Sequence, residues 1–347
     1  MMMVHANDLL TPAELAVVRR RSDLRGAWCV AHAWLVIFGA MAAFVVFPNP
    51  LVLAIGVVVV GARQLGIAIL MHDAAHGVLT NHKRLNEALG QWFCAWPVIT
   101  DLYAYRTYHL QHHRRTQQAD DPDLVLSAPF PITKSSLKRK IIRDLTGQTT
   151  FKQRVAQFRS GFTVKGGTWR DGLKRGMNRL GGPIAVNFGL FTALTAAGQW
   201  HVFLLLWVLP FFTWLPMITR IRNIAEHAVV PDNDDAFRNA RTTKANLLWR
   251  ALVAPYWVNY HVEHHLLMYV PCYNLPRFHK LLLAKGFGPK MEIQPDYLSV
   301  LSLATSKPEN AANNNDDGAD PGDTGNNHGV GLALAQNVTP RAVKKRA

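Results

Sequence analysis

The chemistry open to this sequence is set by histidines at helical spacing. Three clusters carry them: His72-Asp-Ala-Ala-His76, His109-Leu-Gln-His112-His113 and His261-Val-Glu-His264-His265. On a helix, side chains three and four residues apart leave the same face. Each cluster therefore presents its imidazoles in one direction. Eight imidazoles aimed at one point from three helices can hold more than one metal ion. Neutral imidazole is a good ligand for iron, zinc, copper and nickel, so ligand type alone leaves the metal open.

The pattern argues against several other metal chemistries. A metalloprotease of the His-Glu-x-x-His type needs Glu directly after its first His. Asp73 stands there in the first cluster, and no cluster has Glu in that place. Zinc sites rarely need more than four ligands. A haem needs one or two axial ligands, and the sequence has no Cys-x-x-Cys-His. A metal transporter would carry its ligands inside apolar spans, whereas these clusters stand at span ends. The isolated histidines, His5, His32, His82, His201, His279 and His328, read as structural. The three cysteines, Cys29, Cys94 and Cys272, form no Cys-x-x-Cys pair. Neither an iron–sulfur centre nor a disulfide framework is expected.

The elements that must position the clusters follow from hydropathy and charge. The chain has 347 residues, 49% of them hydrophobic, and a net charge of +15. Long apolar runs alternate with basic loops, the pattern of a chain that crosses a membrane several times. Residues 1–27 read as a cytoplasmic N-terminal segment. In it, Thr11-Pro-Ala-Glu14 is a capping box that starts a surface helix running to Arg21. Arg19, Arg20, Arg21 and Arg25 lie too deep for a signal peptide, so the apolar run after them reads as a retained first span. Cys29 to Phe47 and Leu51 to Met71 are each close to the about 20 residues that a crossing requires. Pro48-Asn-Pro50 joins them without Lys or Arg, which places the turn outside and the first histidine cluster on the cytoplasmic side. Arg63 interrupts the second span and is expected to face the protein interior or to snorkel.

Residues 183–198 and 202–219 form a second apolar hairpin, also turned by a segment without Lys or Arg. Leu85 to Val98 reads as an interfacial or re-entrant segment, and Leu247 to Val258 as an interfacial helix leading into the third cluster. The basic stretch 105–180 belongs in the cytoplasm. From Lys307 on, the tail is rich in Asn, Asp and Gly and is expected to be disordered. The expected fold is all-α: a polytopic membrane protein with two transmembrane helical hairpins, about four spans, and a cytoplasmic helical cap holding the metal site. Its domain covers residues 28–300 and the tail 301–347. The basic residues flank spans and interleave little with aromatics, so nucleic acid is not an expected partner. They suit anionic headgroups or an acidic protein instead.

The order H-x-x-x-H, H-x-x-H-H, H-x-x-H-H across two apolar hairpins resembles the membrane fatty acid desaturase and hydroxylase superfamily, over residues 29 to 295 or so. The resemblance implies a non-haem di-iron centre on the cytoplasmic face. Its ligands would be His72, His76, His109, His112, His113, His261, His264 and His265. The segment Arg220-Ile-Arg-Asn-Ile-Ala-Glu-His227 adds two positions. In similar desaturases a His there completes the centre and an Asn one turn earlier approaches an iron through water. Here these are His227 and Asn223, whose spacing puts both on one helix face. Metal-bound His commonly donates its other N–H to a carboxylate. The candidates are Asp73, Asp120, Asp121, Asp123 and Glu263.

The function so implied is O2-dependent desaturation of a fatty acyl chain, carried on a lipid or a thioester. It uses two iron ions, O2 as co-substrate and a separate electron donor. The donor would be a ferredoxin, a rubredoxin or a cytochrome b5-like protein, because the sequence has no Cys cluster and no fused haem domain. The short first cluster is similar to that of acyl-lipid and sphingolipid desaturases, and also to that of carotenoid ring hydroxylases. A di-iron hydroxylase of a lipid or carotenoid is the alternative within the fold. A non-catalytic metal-binding membrane protein is the alternative of another class. The implied setting is multi-pass in a bacterial inner membrane, with the active site on the cytoplasmic face.

Overall fold

A helix of 26 residues, α2 (Pro50–Ala75), runs through the middle of the molecule. The computed structural model describes residues 4–311. Asn49 caps the start of α2, accepting from the amides of Leu51 and Val52 at 3.1 Å each, and Pro50 takes the first helical position. Its sequence is apolar on almost every side, and every residue from Val60 to Ala75 is buried. A helix hydrophobic all round belongs inside a bundle. The preceding helix, α1 (Asp23–Val46), packs along it. Small residues let other neighbours approach closely. A Cβ at Gly56, Gly61 or Gly66 would stand 2.7, 2.8 or 2.8 Å from the side chains of Leu206, Trp214 and Tyr256, respectively.

Among the described residues, three segments are long and apolar enough to cross a membrane: Pro12–Val46, Pro50–Ala75 and Trp200–His227. The third is irregular, with a π turn at Leu204–Val208 followed by Pro210. The buried Gln64 of α2 donates to the Trp207 carbonyl there, at 2.8 Å. The fourth expected span, residues 183–198, falls at the end of the long helix Trp169–Ala196. The first half of that helix carries Arg170, Lys174, Arg175 and Arg179. Its apolar remainder is shorter than the about 20 residues of a full crossing.

Several boundaries differ from the sequence reading. The N-terminal capping box forms, with Thr11 N donating to Glu14 Oε2 at 2.8 Å and Glu14 N to Thr11 Oγ1 at 3.3 Å. The helix it starts ends at Val18 rather than Arg21, and α1 already begins at Asp23. Leu9, Leu10, Leu15 and Val18 are buried in the core, so the N-terminal segment packs with the rest. The segment 83–98 is short and bent: helix Lys83–Ala88, a π turn Leu89–Ala95, then a 3-10 turn Trp96–Val98. Leu247–Leu252 and Pro255–Trp257 are short in the same way. Among the described residues two strands occur, β1 (Thr242–Thr243) and β2 (Ile293–Gln294), paired in parallel. They are a small addition to an otherwise helical fold. The folded chain continues past residue 300 through helix Tyr297–Ala304, and Ser135 Oγ donates to Glu309 Oε2 at 2.6 Å. Most of the tail expected to be disordered, residues 312–347, lies outside the described residues.

The loop after the first histidine cluster is locked against α1 at Gly26. A Cβ there would lie 2.0 Å from the Leu79 carbonyl oxygen, and backbone cannot swing aside. Gly26→Ala is expected to destabilise the fold by about 1–3 kcal/mol. A thermal melt in detergent should show a lower Tm. Gly39→Ala, where a Cβ meets nothing within 4 Å, should leave Tm unchanged or raise it.

Candidate metal centre

Four helix segments carry the clustered histidines, and local contacts hold three of them in place. Helix α2 stops at His76 because Gly77 turns left-handed, with φ +71°. Val78 N then donates to Asp73 O and Gly77 N to Ala74 O, both at 3.0 Å, the pair of bonds of a glycine C-cap. This leaves His72 and His76 one turn apart at the very end of the span. Helix α3 (Leu102–Arg115) carries the second cluster. Asp101 caps it, accepting from Tyr103 N at 3.0 Å and Ala104 N at 2.9 Å. Arg106 on α3 donates to the carbonyls of Ala75 and Ala74 at 2.8 and 3.1 Å, tying the second cluster to the first. Helix α4 (Trp214–His227) ends on His227. The short α5 (His261–Leu266) holds the third cluster. Thr242 of β1 steadies it, accepting from Val262 N at 3.3 Å and donating to Glu263.

The nine imidazoles converge as two groups rather than one. His72, His76, His109, His113 and His264 form the first; His112, His227, His261 and His265 form the second. Within each group the potential ligand atoms lie within 4.8 Å of one another. The groups adjoin, with the rings of His113 and His265 stacked 4.4 Å apart. The second and third clusters are both divided. His109 and His113, at i and i+4, join one group, while His112 turns to the other. His261 and His265 pair likewise, while His264 crosses over.

The Nε2 atoms face each other. His113 Nε2 lies 2.9 Å from His109 Nε2 and 2.9 Å from His264 Nε2. His261 Nε2 lies 2.8 Å from His227 Nε2 and 3.1 Å from His265 Nε2. Both ring nitrogens of His72 and of His76 are buried without a hydrogen-bond partner. Orphaned buried acceptors are costly, and a cation at the centre of each group would satisfy them. Burial pushes His109, His113, His261, His264 and His265 well below the ordinary imidazole range. Burial and the Arg106 charge push His76 down to about 3. These rings are therefore neutral at physiological pH, the form that ligates metal. This donor set fits a pair of metal ions.

In the second group, protein acceptors fix the other nitrogen. His112 Nδ1 donates to Asp121 Oδ1 at 2.8 Å, and His227 Nδ1 donates to the Asn239 carbonyl at 3.2 Å. His265 Nδ1 lies 3.3 Å from Thr116 Oγ1, whose own proton goes to the His112 carbonyl at 2.9 Å. These contacts hold the Nε2 lone pairs toward the centre. His112 stands apart in its proton affinity. Burial lowers it, but the bond to Asp121 and the charges of Asp123 and Asp121 raise it above the ordinary value.

The five candidate carboxylates take different places. Asp121 is buried on His112 and also accepts from Gln117 N at 2.7 Å and Asp123 N at 2.9 Å. Asp123 accepts from the Tyr108 hydroxyl and lies 3.8 Å from His112 Nδ1. Asp73 accepts from Cys272 N at 2.7 Å, with its other oxygen 3.6 Å from His72 Nδ1. Glu263 pairs with Thr242 and His279 rather than with a clustered imidazole. Asp120 is exposed and pairs with Arg115 at 2.6 Å. Asn223 lines a cavity of about 50 Å3 that also touches His112, His227 and His261.

Sequence reasoning missed Glu226, which sits 3.6 Å from His261 Nδ1 and accepts from Arg222 Nε at 2.6 Å. An Arg and a Glu at i and i+4 closing an apolar span were the available signal. It also missed Tyr105, whose ring stacks on His109 at 5.2 Å. His279, read as structural, touches the site through Glu263.

An apolar helical core capped by two adjoining imidazole groups defines a membrane protein with two histidine groups that could each hold a metal ion. The chain belongs to the fatty acid desaturase family, whose profile matches residues 48–291. That family is a non-haem di-iron one. A dihydrorhizobitoxine desaturase of Bradyrhizobium elkanii is 25% identical over 65% of this chain. The match spans 66% of that protein, slightly under two thirds of its length. A beta-carotene ketolase of Paracoccus sp. strain PC1 is 26% identical over 73% of this chain and 88% of its own. A beta-carotene ketolase of another Paracoccus strain is 27% identical over 61% of this chain and 73% of its own.

If Asp121 orients His112, Asp121→Ala should weaken metal retention by about 10- to 100-fold. Metal analysis after dialysis against a graded chelator measures this. Asp120→Ala, on the exposed pair, should match the unaltered protein.

Proposed function

We propose that the chain is an O2-dependent membrane oxidoreductase that holds two iron ions and introduces a double bond into a fatty acyl chain. The observation that carries this reading is the pair of buried imidazole groups at the end of an apolar helix. Imidazole ligands with positions left open suit iron in O2 chemistry. His72, His76, His109, His113 and His264 would hold one ion. His112, His227, His261 and His265 would hold the other, with Asn223 beside it. When bound, such a centre supplies O2 activation strong enough to take hydrogen from an unactivated methylene.

The chain's own residues do the positioning. Asp121, Thr116 and the Asn239 carbonyl hold three rings in the ligating tautomer. Tyr105 covers His109 and, with the packed rings, keeps water from the centre. Turns without Lys or Arg at Pro48-Asn-Pro50 and Gln199-Trp-His201 support a cytoplasmic position for the histidines. The bacterial relatives support an inner-membrane setting. The basic cytoplasmic segments suit an acidic electron donor such as a ferredoxin, a rubredoxin or a cytochrome b5-like protein. A second reading, insertion of oxygen into a lipid or carotenoid, is favoured by the two beta-carotene ketolase relatives.

Expression in a host of defined lipid content, with mass spectrometry of total lipids, tests the reading against a His264→Ala control. A lipid lacking two hydrogens and absent from the control is the expected product. A product carrying an added oxygen would replace desaturation with the second reading. The purified protein is expected to retain about two iron ions per chain, and His264→Ala to retain clearly less by elemental analysis.

A further inference from the structure

A cavity of about 480 Å3 lies away from the histidine groups. Val36 on α1, Val59 on α2 and Leu252 form its apolar part. Arg63, Arg250 and His32 form its polar part. Leu247, on its rim, is 83% exposed, so the rim presents apolar surface outward, as a lipid-facing edge does.

Arg63 is unusual in this place. It sits inside the span α2, nine residues before His72, about 13 Å along the axis at 1.5 Å per residue. It is only 8% exposed. Its guanidinium donates to the Ala251 carbonyl and lies 5.7 Å from the centre of the Tyr256 ring. Arg250 lies 5.2 Å from the centre of the Trp257 ring. Among the described residues no carboxylate pairs with Arg63 or Arg250. A carbonyl and two ring faces offset part of these charges, and an anion would offset the rest. A cation inside a span points to function, with its partner to be named. Arg63 in its span and Arg250 on the short helix Leu247–Leu252 border one apolar cavity.

We propose that this cavity binds one anionic phospholipid of the surrounding bilayer. Its phosphate would lie between Arg63 and Arg250, and part of an acyl chain against Val36, Val59 and Leu252. Guanidinium matches phosphate oxygens in paired hydrogen bonds. Basic pockets bordering a span suit acidic headgroups. The cavity also bears on the third histidine cluster. Tyr256 and Trp257, on its wall, hold φ of 52° and 59°. That left-handed conformation is unfavourable for side chains of their size. His261 follows four residues after Trp257, so a lipid in the cavity braces the turn that leads into α5.

The test needs neither iron nor turnover. The full chain is delipidated in detergent and titrated with phosphatidylglycerol, phosphatidylcholine or oleate. Native mass spectrometry reads bound lipid, and a thermal melt reads stability. One phosphatidylglycerol per chain is expected to persist, with Tm rising as its concentration rises. Phosphatidylcholine, whose own cation balances its phosphate, and oleate, a lone carboxylate, should bind more weakly. Arg63→Gln and Arg250→Gln should each weaken phosphatidylglycerol binding about tenfold. Arg250 is half-buried on a short helix, so its variant remains informative if Arg63→Gln fails to fold. Val59→Phe fills the apolar part and should weaken binding with both charges intact. Equal retention of the three amphiphiles, tighter retention of oleate, or unchanged binding in both Arg250→Gln and Val59→Phe overturns the proposal.

Discussion

A buried imidazole lone pair has to meet a proton or a cation. In this protein nine imidazoles are packed together, and six of them bring their Nε2 atoms within 2.8 to 3.1 Å of a neighbouring Nε2. The ring nitrogens of His72 and His76 have no hydrogen-bond partner. Protonation would relieve little, because burial disfavours charge on nearly every ring. A metal ion in each group would satisfy these rings together. Much of the surrounding structure can be understood as keeping these rings neutral, dry and aimed inward.

That demand explains why the helix ends are fixed so firmly. A ligating ring is placed only as well as the backbone beneath it. Gly77 and Arg106 close the end of α2, and Asp101 opens α3. The carboxylates act one step further out. Asp121 governs His112 directly, while Glu263 secures α5 through Thr242 and His279. The His279–Glu263 pair thus ties the third cluster to the helix Leu275–Ala284.

The apolar core has a matching role. Helix α2 is buried all round over its last sixteen residues, so its end cannot drift relative to α1, α4 and the segment 255–257. Arg63 is the cation placed within this apolar stretch. It packs against the Ala251 carbonyl and the Tyr256 ring at the edge of a cavity, which links α2 to the turn before the third cluster.

The sequence alone determined the local facts. Spacing of three and four residues put the clustered histidines on shared helix faces, because helical rise and twist are the same wherever a helix forms. Apolar run length marked three of the expected spans, because the hydrocarbon core sets the length a crossing needs, while the fourth, residues 183–198, is too short for a full crossing. Tertiary structure alone decided how the clusters are shared out. That His112 leaves His109 and His113 for another group, and that His264 crosses to theirs, depends on how α3 and α5 pack face to face. It also decided that Asp121 rather than Asp120 meets a ring, that Glu263 turns to His279, and that Glu226 stands beside His261. These pairs, apart from the neighbouring aspartates, join residues on different elements. Their distances are set by the fit of whole helices, which no spacing along the chain records.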